Sequence, residues 1–280
     1  MDKWPIGVFA SADAGLGVKL EVAQELAVPT IQLHAPSKPV RTPEKAQAFL
    51  DRCQAAGITV TCVFGGFEGE SYADIPTTQR TVGLVPPETR AARTQELKEI
   101  ADFAKLLGVG AVGLHVGFVP SDDTDPLFAQ VVAVTQEVCD YLQARGQTLN
   151  LETGQESAAG LLHFIAAVNR PNLGINFDPA NMILYGTGNP IEALQKVGKF
   201  VKSVHCKDGK WAANPGKEWG QEVPLGQGDV NMELYLRTLK DIGYTGPLTI
   251  EREIPQEPAR QKAEIGAAVS LLEALKAKIG

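Results

Sequence analysis

Short apolar runs and longer helix-periodic segments alternate along almost the whole chain, and this alternation constrains the fold more than any other feature. Runs rich in Val, Ile, Leu and Phe lie at 6–10, 30–34, 58–64, 111–117, 148–152, 173–178, 202–206 and 248–251. Helical spacing fills the intervals at 16–27, 43–56, 87–107, 126–145, 157–169, 190–197, 232–242 and 258–278. Strands buried on both faces read as continuous apolar runs. Eight of them, each followed by a helix, is the count that closes a (β/α)8 barrel. The expected fold is therefore α/β, a single TIM barrel domain over residues 1–280. An open doubly wound sheet is the alternative, but no Gly-x-Gly-x-x-Gly follows the first strand and no phosphate loop is present.

The punctuation agrees with the count. Pro43, Pro87, Pro126, Pro190 and Pro258 stand at helix starts, where a fixed φ is useful and the missing N–H is not needed. Thr42 and Asn189 precede two of them as expected N-caps. Gly57, Gly108, Gly146 and Gly243 follow helix ends, where left-handed caps favour glycine. Two connections, 65–86 and 209–230, are longer than barrel closure needs. Both leave the carboxyl ends of strands, the face on which barrel sites are built, and they are expected either to cover a small polar substrate or to form structural Ω-loops.

Composition excludes several classes. A length of 280 residues with 44% hydrophobic and 21% charged residues excludes fibrous and disordered chains. The net charge of −7 opposes binding to duplex nucleic acid, which calls for concentrated cationic charge. No apolar run reaches the ~18 residues of a membrane span, and the first residues lack the pattern of a secretory leader. Cys53, Cys62, Cys139 and Cys206 form no Cys-x-x-Cys pair and are expected to be buried thiols. A cytoplasmic protein is expected.

The residues that end the strands carry the functional signal. His34 ends the second, His115 lies late in the fourth, Glu152 ends the fifth, Asp178 the sixth, His205 the seventh and Glu251 the eighth. A charge at the end of a buried apolar strand costs several kcal/mol unless it is paired, hydrogen-bonded or bound to metal. Strands five to eight form one arc of the ring, so Glu152, Asp178, His205 and Glu251 are expected to converge at its mouth. Three carboxylates and one imidazole make a hard, oxygen-rich set, suited to one divalent ion: Mn²⁺ first, with Mg²⁺ or Co²⁺ as substitutes. The competing reading is a buried ion-pair network with Lys207 and Arg252, which cannot neutralise three carboxylates and still give His205 a role. Lys207 shares the parity of His205 and faces the site, whereas Arg252 points away. His34 and His115 divide between substrate contact and packed core histidines. His163 reads as a helix-face residue. Glu156 reads either as an acid behind the ligands or as the start of a helix.

In their order, the segments ETGQES at Glu152, NFDPANMILYG at Asp178, VHCKDGK at His205, PLGQGDV at Leu225 and TIERE at Glu251 resemble the xylose-isomerase-like barrel superfamily, specifically its sugar phosphate isomerase/epimerase group with the ketose 3-epimerases. The resemblance implies that Glu152, Asp178, His205 and Glu251 hold the metal and that Glu152 and Glu251 are the catalytic acid/base pair. Those epimerases carry a substrate-contacting histidine three positions after the aspartate, where this chain has Asn181. Their arginine near PLGQGDV has no evident counterpart. His34, His115, Glu156, Asn181 and Lys207 are the expected substrate contacts.

The expected reaction is epimerisation or isomerisation of a ketose or sugar phosphate by proton transfer through a metal-stabilised enediolate. Dehydration or lysis of a keto-sugar or inosose on the same site is the alternative. A DNA-repair endonuclease would need more inward histidines than the four present. A non-catalytic sugar-binding barrel would leave an intact ligand set idle. The partner is expected to be a small sugar, with no nucleic acid and no membrane, and the sequence is compatible with a homo-oligomer.

Overall fold

The computed structural model describes residues 4–13 and 16–280. Eight parallel strands form the ring: β1 Ile6–Ser11, β2 Thr30–His34, β3 Thr59–Gly65, β4 Ala111–Leu114, β5 Thr148–Glu152, β6 Leu173–Phe177, β7 Val201–Cys206 and β8 Leu248–Ile250. Each pairs with the next in sequence, and β8 pairs back onto β1 from Ile6↔Leu248 to Val8↔Ile250, so the barrel is closed. The helices that cover it are α1 Leu20–Glu25, α2 Pro43–Ala55, α3 Pro87–Leu106, α4 Pro126–Gln143, α5 Ala158–Val168, α6 Pro190–Val197, α7 Met232–Asp241 and α8 Pro258–Ile279. Thr42 and Asn189 cap α2 and α6 as expected, each accepting from backbone N–H groups of the first turn. Among the described residues, no helix is long and apolar enough to cross a membrane.

Several strand and helix limits differ from expectation, each for a local reason. The segment expected as a helix from 16 begins as a two-residue strand, Val18–Lys19, pairing with Ala10 and Ser11 on the side of β1 that β8 leaves unpaired. β4 stops at Leu114 rather than 117. Beyond it the Val116 carbonyl accepts from Leu84 N–H at 2.8 Å, and Gly117 turns the chain away with φ +96°. β6 ends before Asp178 because that residue starts a further short helix, Pro179–Tyr185. The long connection after β3 holds another helix, Ile75–Thr81, capped by Asp74 through Thr77 N–H at 2.6 Å. The connection after β7 contains an antiparallel hairpin of Asp208–Lys210 and Gln221–Val223.

Apolar packing occurs in two places. Most of it lies between strands and helices, where Leu97, Ile100, Leu142, Leu149 and Leu33 are fully buried. Inside the ring, Phe9, Cys62 and Phe64 form a separate cluster. A Cβ on Gly113 would stand 2.2 Å from the Phe64 ring, so β4 needs glycine there for that ring to lie across the barrel. The four cysteines are buried free thiols.

Candidate metal centre

Glu152 is the last residue of β5, Asp178 follows β6, His205 is next to last in β7, and Glu251 follows β8. Parallel pairing holds these ends at one level, with Glu152 opposite Asn176 and Thr249 opposite His205. Each of the four offers one donor atom, and all four atoms lie within 4.8 Å of one another. His205 Nδ1 stands 3.0 Å from Glu152 Oε1, 3.0 Å from Glu251 Oε2 and 3.4 Å from Asp178 Oδ2.

Local bonds fix each member. Asp178 has divided duties: Oδ1 accepts from Asn181 N–H at 2.9 Å and caps the helix Pro179–Tyr185, while Oδ2 faces the cluster. Thr153 Oγ1 donates to the Asp178 carbonyl and accepts from its N–H, tying the ends of β5 and β6. The Tyr235 hydroxyl, on α7, donates to the His205 carbonyl at 3.1 Å. The imidazole itself packs against Phe9 and Phe64, with ring centroids 5.6 and 5.5 Å away.

Gln32 sets the proton position of the imidazole. His205 Nε2–H donates to Gln32 Oε1 at 2.9 Å, and Gln32 Nε2 donates to Asn176 Oδ1 at 3.0 Å. With Nε2 carrying the hydrogen, the neutral ring presents the Nδ1 lone pair to the three carboxylates. Sequence reasoning missed Gln32, although it shares the inward parity of His34 in an otherwise apolar run. Inward residues two positions before each cluster member are also polar: Asn150, Asn176, Ser203 and Thr249. That repeated spacing was the available signal for a polar floor beneath the mouth.

The arrangement fits a hard divalent ion. Asp178 Oδ2, His205 Nδ1 and Glu251 Oε2 are buried atoms without hydrogen-bond partners, all turned toward one another. Left to themselves the groups compensate. Burial pushes the Glu152 carboxyl up to about 7 and raises Asp178 as well. Burial also disfavours charge on Glu251 and His205, but Lys207 and His205 outweigh it at Glu251, holding that carboxyl well below the usual range. The surrounding carboxylates likewise outweigh burial at His205 and hold its pKa well above the ordinary histidine value.

The remaining expected residues occupy different places around this cluster. Lys207 reaches it, with Nζ 3.3 Å from Glu251 Oε2. Arg252 turns outward to Glu222 and Glu264 at 2.8 and 3.0 Å. His115 is buried, with Nε2 2.9 Å from the Tyr185 hydroxyl, and burial lowers its pKa to about 4. His34 keeps Nδ1 unpartnered, and burial lowers its pKa too. Glu156 Oε2 is buried without a partner, while Oε1 accepts from Gln155. Asn181 is buried on the helix that Asp178 caps. His163 lies apart on α5, stacked on Phe128 and 3.5 Å from Asp123. Aromatic rings, two of them from the long connections after β3 and β7, link these residues: Tyr72 meets His115 at 5.9 Å, and Tyr185 meets Trp219 at 4.4 Å.

The closed parallel (β/α)8 ring thus carries three acids and one imidazole at its carboxyl rim, a candidate site for one divalent ion. The chain belongs to the xylose isomerase-like TIM barrel family, whose pattern matches residues 20–275. A solved structure titled xylose isomerase domain protein from Planctomyces limnophilus is 64% identical, with TM-score 0.97 over 99% of both chains. L-ribulose-5-phosphate 3-epimerase UlaE of Escherichia coli K12 is 31% identical over 151 residues, which are 53% of this chain and 46% of that protein. The matched segment thus spans about half the length of each. A solved D-tagatose 3-epimerase-like protein shares the fold, at 18% identity and TM-score 0.74 over 100% of both chains.

Proposed function

We propose that this protein is a divalent-metal-dependent sugar epimerase or isomerase, moving a proton at the carbon beside the carbonyl of a small ketose. The observation that carries this reading is the placement of Glu152 and Glu251. Their carboxylates come from strands three apart in the ring, and both lie 3.0 Å from the same imidazole nitrogen. The epimerase names of UlaE and of the D-tagatose 3-epimerase-like barrel support it.

Glu152, Asp178, His205 and Glu251 would hold the ion, for which Mn²⁺ is the first choice and Mg²⁺ or Co²⁺ substitutes. When bound, the ion supplies electrostatic stabilisation for the negative charge that develops on the substrate oxygens. The chain's own residues move the proton. One of Glu152 and Glu251 takes it from the carbon beside the ketone, and the other returns one to the opposite face, which inverts that carbon. General acid–base transfer of this kind contributes ~10²–10⁴-fold. Asp178 is unsuited to that work because its Oδ1 is committed to a backbone N–H. Lys207 would keep Glu251 ionised, and His34, His115, Glu156 and Asn181 would meet sugar hydroxyls. The four buried free thiols suit a reducing, cytoplasmic setting.

The test is proton exchange in D₂O with the Mn²⁺-loaded protein and a panel of ketoses, followed by NMR. Deuterium is expected beside the carbonyl, and Glu152→Gln or Glu251→Gln should abolish its entry while the protein stays folded. A loaded protein that exchanges no ketose proton overturns the proposal. A product lighter by one water would show dehydration instead.

A further inference from the structure

A phosphorylated sugar brings two negative charges that its enzyme must meet with cations or with a nest of backbone N–H groups. In (β/α)8 barrels that nest is frequently built by the loops after strands seven and eight. In this chain the corresponding N–H groups already hold an anion. Gly226, Gly228 and Val230 N–H, with Gly209 N–H, all donate to the Asp208 carboxylate at 2.9, 3.0, 3.2 and 3.0 Å. Asp208 is 2% exposed, and a Cβ on Gly228 would stand 2.2 Å from its Oδ1, so the glycine-rich turn is closed around this one carboxylate.

The nearby cations are likewise engaged. Lys207 is 3% exposed and sits among Glu251, Glu253 and Glu222 at 3.3, 3.5 and 4.0 Å. Arg252 is taken by Glu222 and Glu264. Two cations therefore face four carboxylates beside β7 and β8, before Asp208 is counted. Neutral surfaces also stand beside these charges: the half-exposed Tyr72 ring meets His115 edge-on, and Trp219, in the β7 connection itself, has a buried, unpartnered Nε1–H and packs against Tyr185. Rings suit sugar C–H faces, and lone donors suit hydroxyls.

Resting on the epimerase or isomerase reading above, we propose that the substrate is an uncharged, unphosphorylated ketose, and that Asp208 is the built-in anion that closes the β7 loop to a phosphate. The phosphorylated substrate in UlaE's name is the contrary case.

Calorimetry on the Mn²⁺-loaded protein tests this with L-ribulose against L-ribulose 5-phosphate and D-fructose against D-fructose 6-phosphate. Like-charge contact opposes binding of the ester, so at least one free sugar should bind ~100-fold more tightly than its ester. Tighter binding of the esters, or failure of both free sugars to bind, overturns the proposal. Preferential free-sugar binding without D₂O exchange supports it and overturns only the epimerase reading. Inorganic phosphate should leave the melting temperature of the native protein unchanged, and stabilisation counts against the proposal. Asp208→Gly empties the nest, and phosphate should then raise that variant's melting temperature. Should that variant fail to fold, Asp208→Asn, which removes charge while keeping shape, should bind the esters closer to the free sugars. An unchanged preference there overturns the role of Asp208.

Discussion

Replacing Gln32 by Leu tests how the candidate centre obtains its nitrogen ligand. The change removes the acceptor of His205 Nε2–H, at 2.9 Å, and the donor to Asn176 Oδ1, at 3.0 Å. His205 is fully buried, so water cannot replace the lost partner. An unsatisfied buried donor costs ~1–3 kcal/mol. The ring can escape by moving its proton to Nδ1, but that places hydrogen where the lone pair should meet the ion. Loss of such an outer partner typically costs ~10–100-fold in metal affinity, equivalent to ~1.4–2.8 kcal/mol. Mn²⁺ affinity is measured by competition with a chromophoric chelator, and the imidazole tautomer by ¹⁵N NMR of the protein loaded with diamagnetic Mg²⁺, which four histidines leave readily assigned. Gln32→Glu should keep most of the affinity: a carboxylate still accepts from Nε2–H, and Asn176 can turn its unpartnered Nδ2 toward it. Unchanged affinity and tautomer in Gln32→Leu would refute the assignment.

Three further outcomes follow from particular contacts. Burial pushes the Glu156 carboxyl from 4.5 up to about 8, against a smaller lowering by Gln155. Its contribution to stability is therefore full below 4.5 and declines as pH rises toward 8; at up to ~1.4 kcal/mol per pH unit, Glu156→Gln should gain at least ~1 kcal/mol on the native chain between pH 5 and pH 8, read by urea unfolding. Asp178→Asn keeps an oxygen for the Asn181 N–H and should lose metal affinity with little loss of metal-free stability, whereas Asp178→Ala loses the cap as well, a further ~0.5–2 kcal/mol by thermal melting. Equal metal-free stabilities for the two variants would remove the capping role. Gly113→Ala drives a methyl into the Phe64 ring and should cost ~1–3 kcal/mol; an unchanged unfolding midpoint would show that the ring is free to move.

The barrel was legible because both of its signals are local. Apolar runs of strand length alternate with Pro-started, Gly-ended helices, and the acid or imidazole at the end of each of the last four runs marks the rim. Glu152, Asp178, His205 and Glu251 could therefore be brought to one arc by counting strands. The helix Ile75–Thr81 was missed because it is short and largely polar, with only Asp74 and Pro76 to mark its start. The Asp178–Pro179 start was equally present, but the apolar run before it reads as strand through the aspartate. The hairpin after β7 depends on Asp208 reaching N–H groups as far as residue 230, a pairing that no spacing rule anticipates. Gln32 was passed over because a lone amide among Ile31, Leu33 and their neighbours looks like an ordinary strand residue until the opposite wall of the ring is in view.

Because Asp178 is anchored to the backbone through one oxygen, its other oxygen is aimed by the helix itself and does not wait for a guest. The rim is thus a socket cut before loading. A chain finished under metal starvation should still reach its native shape, and later arrival of the ion would switch on chemistry without rebuilding the wall around it.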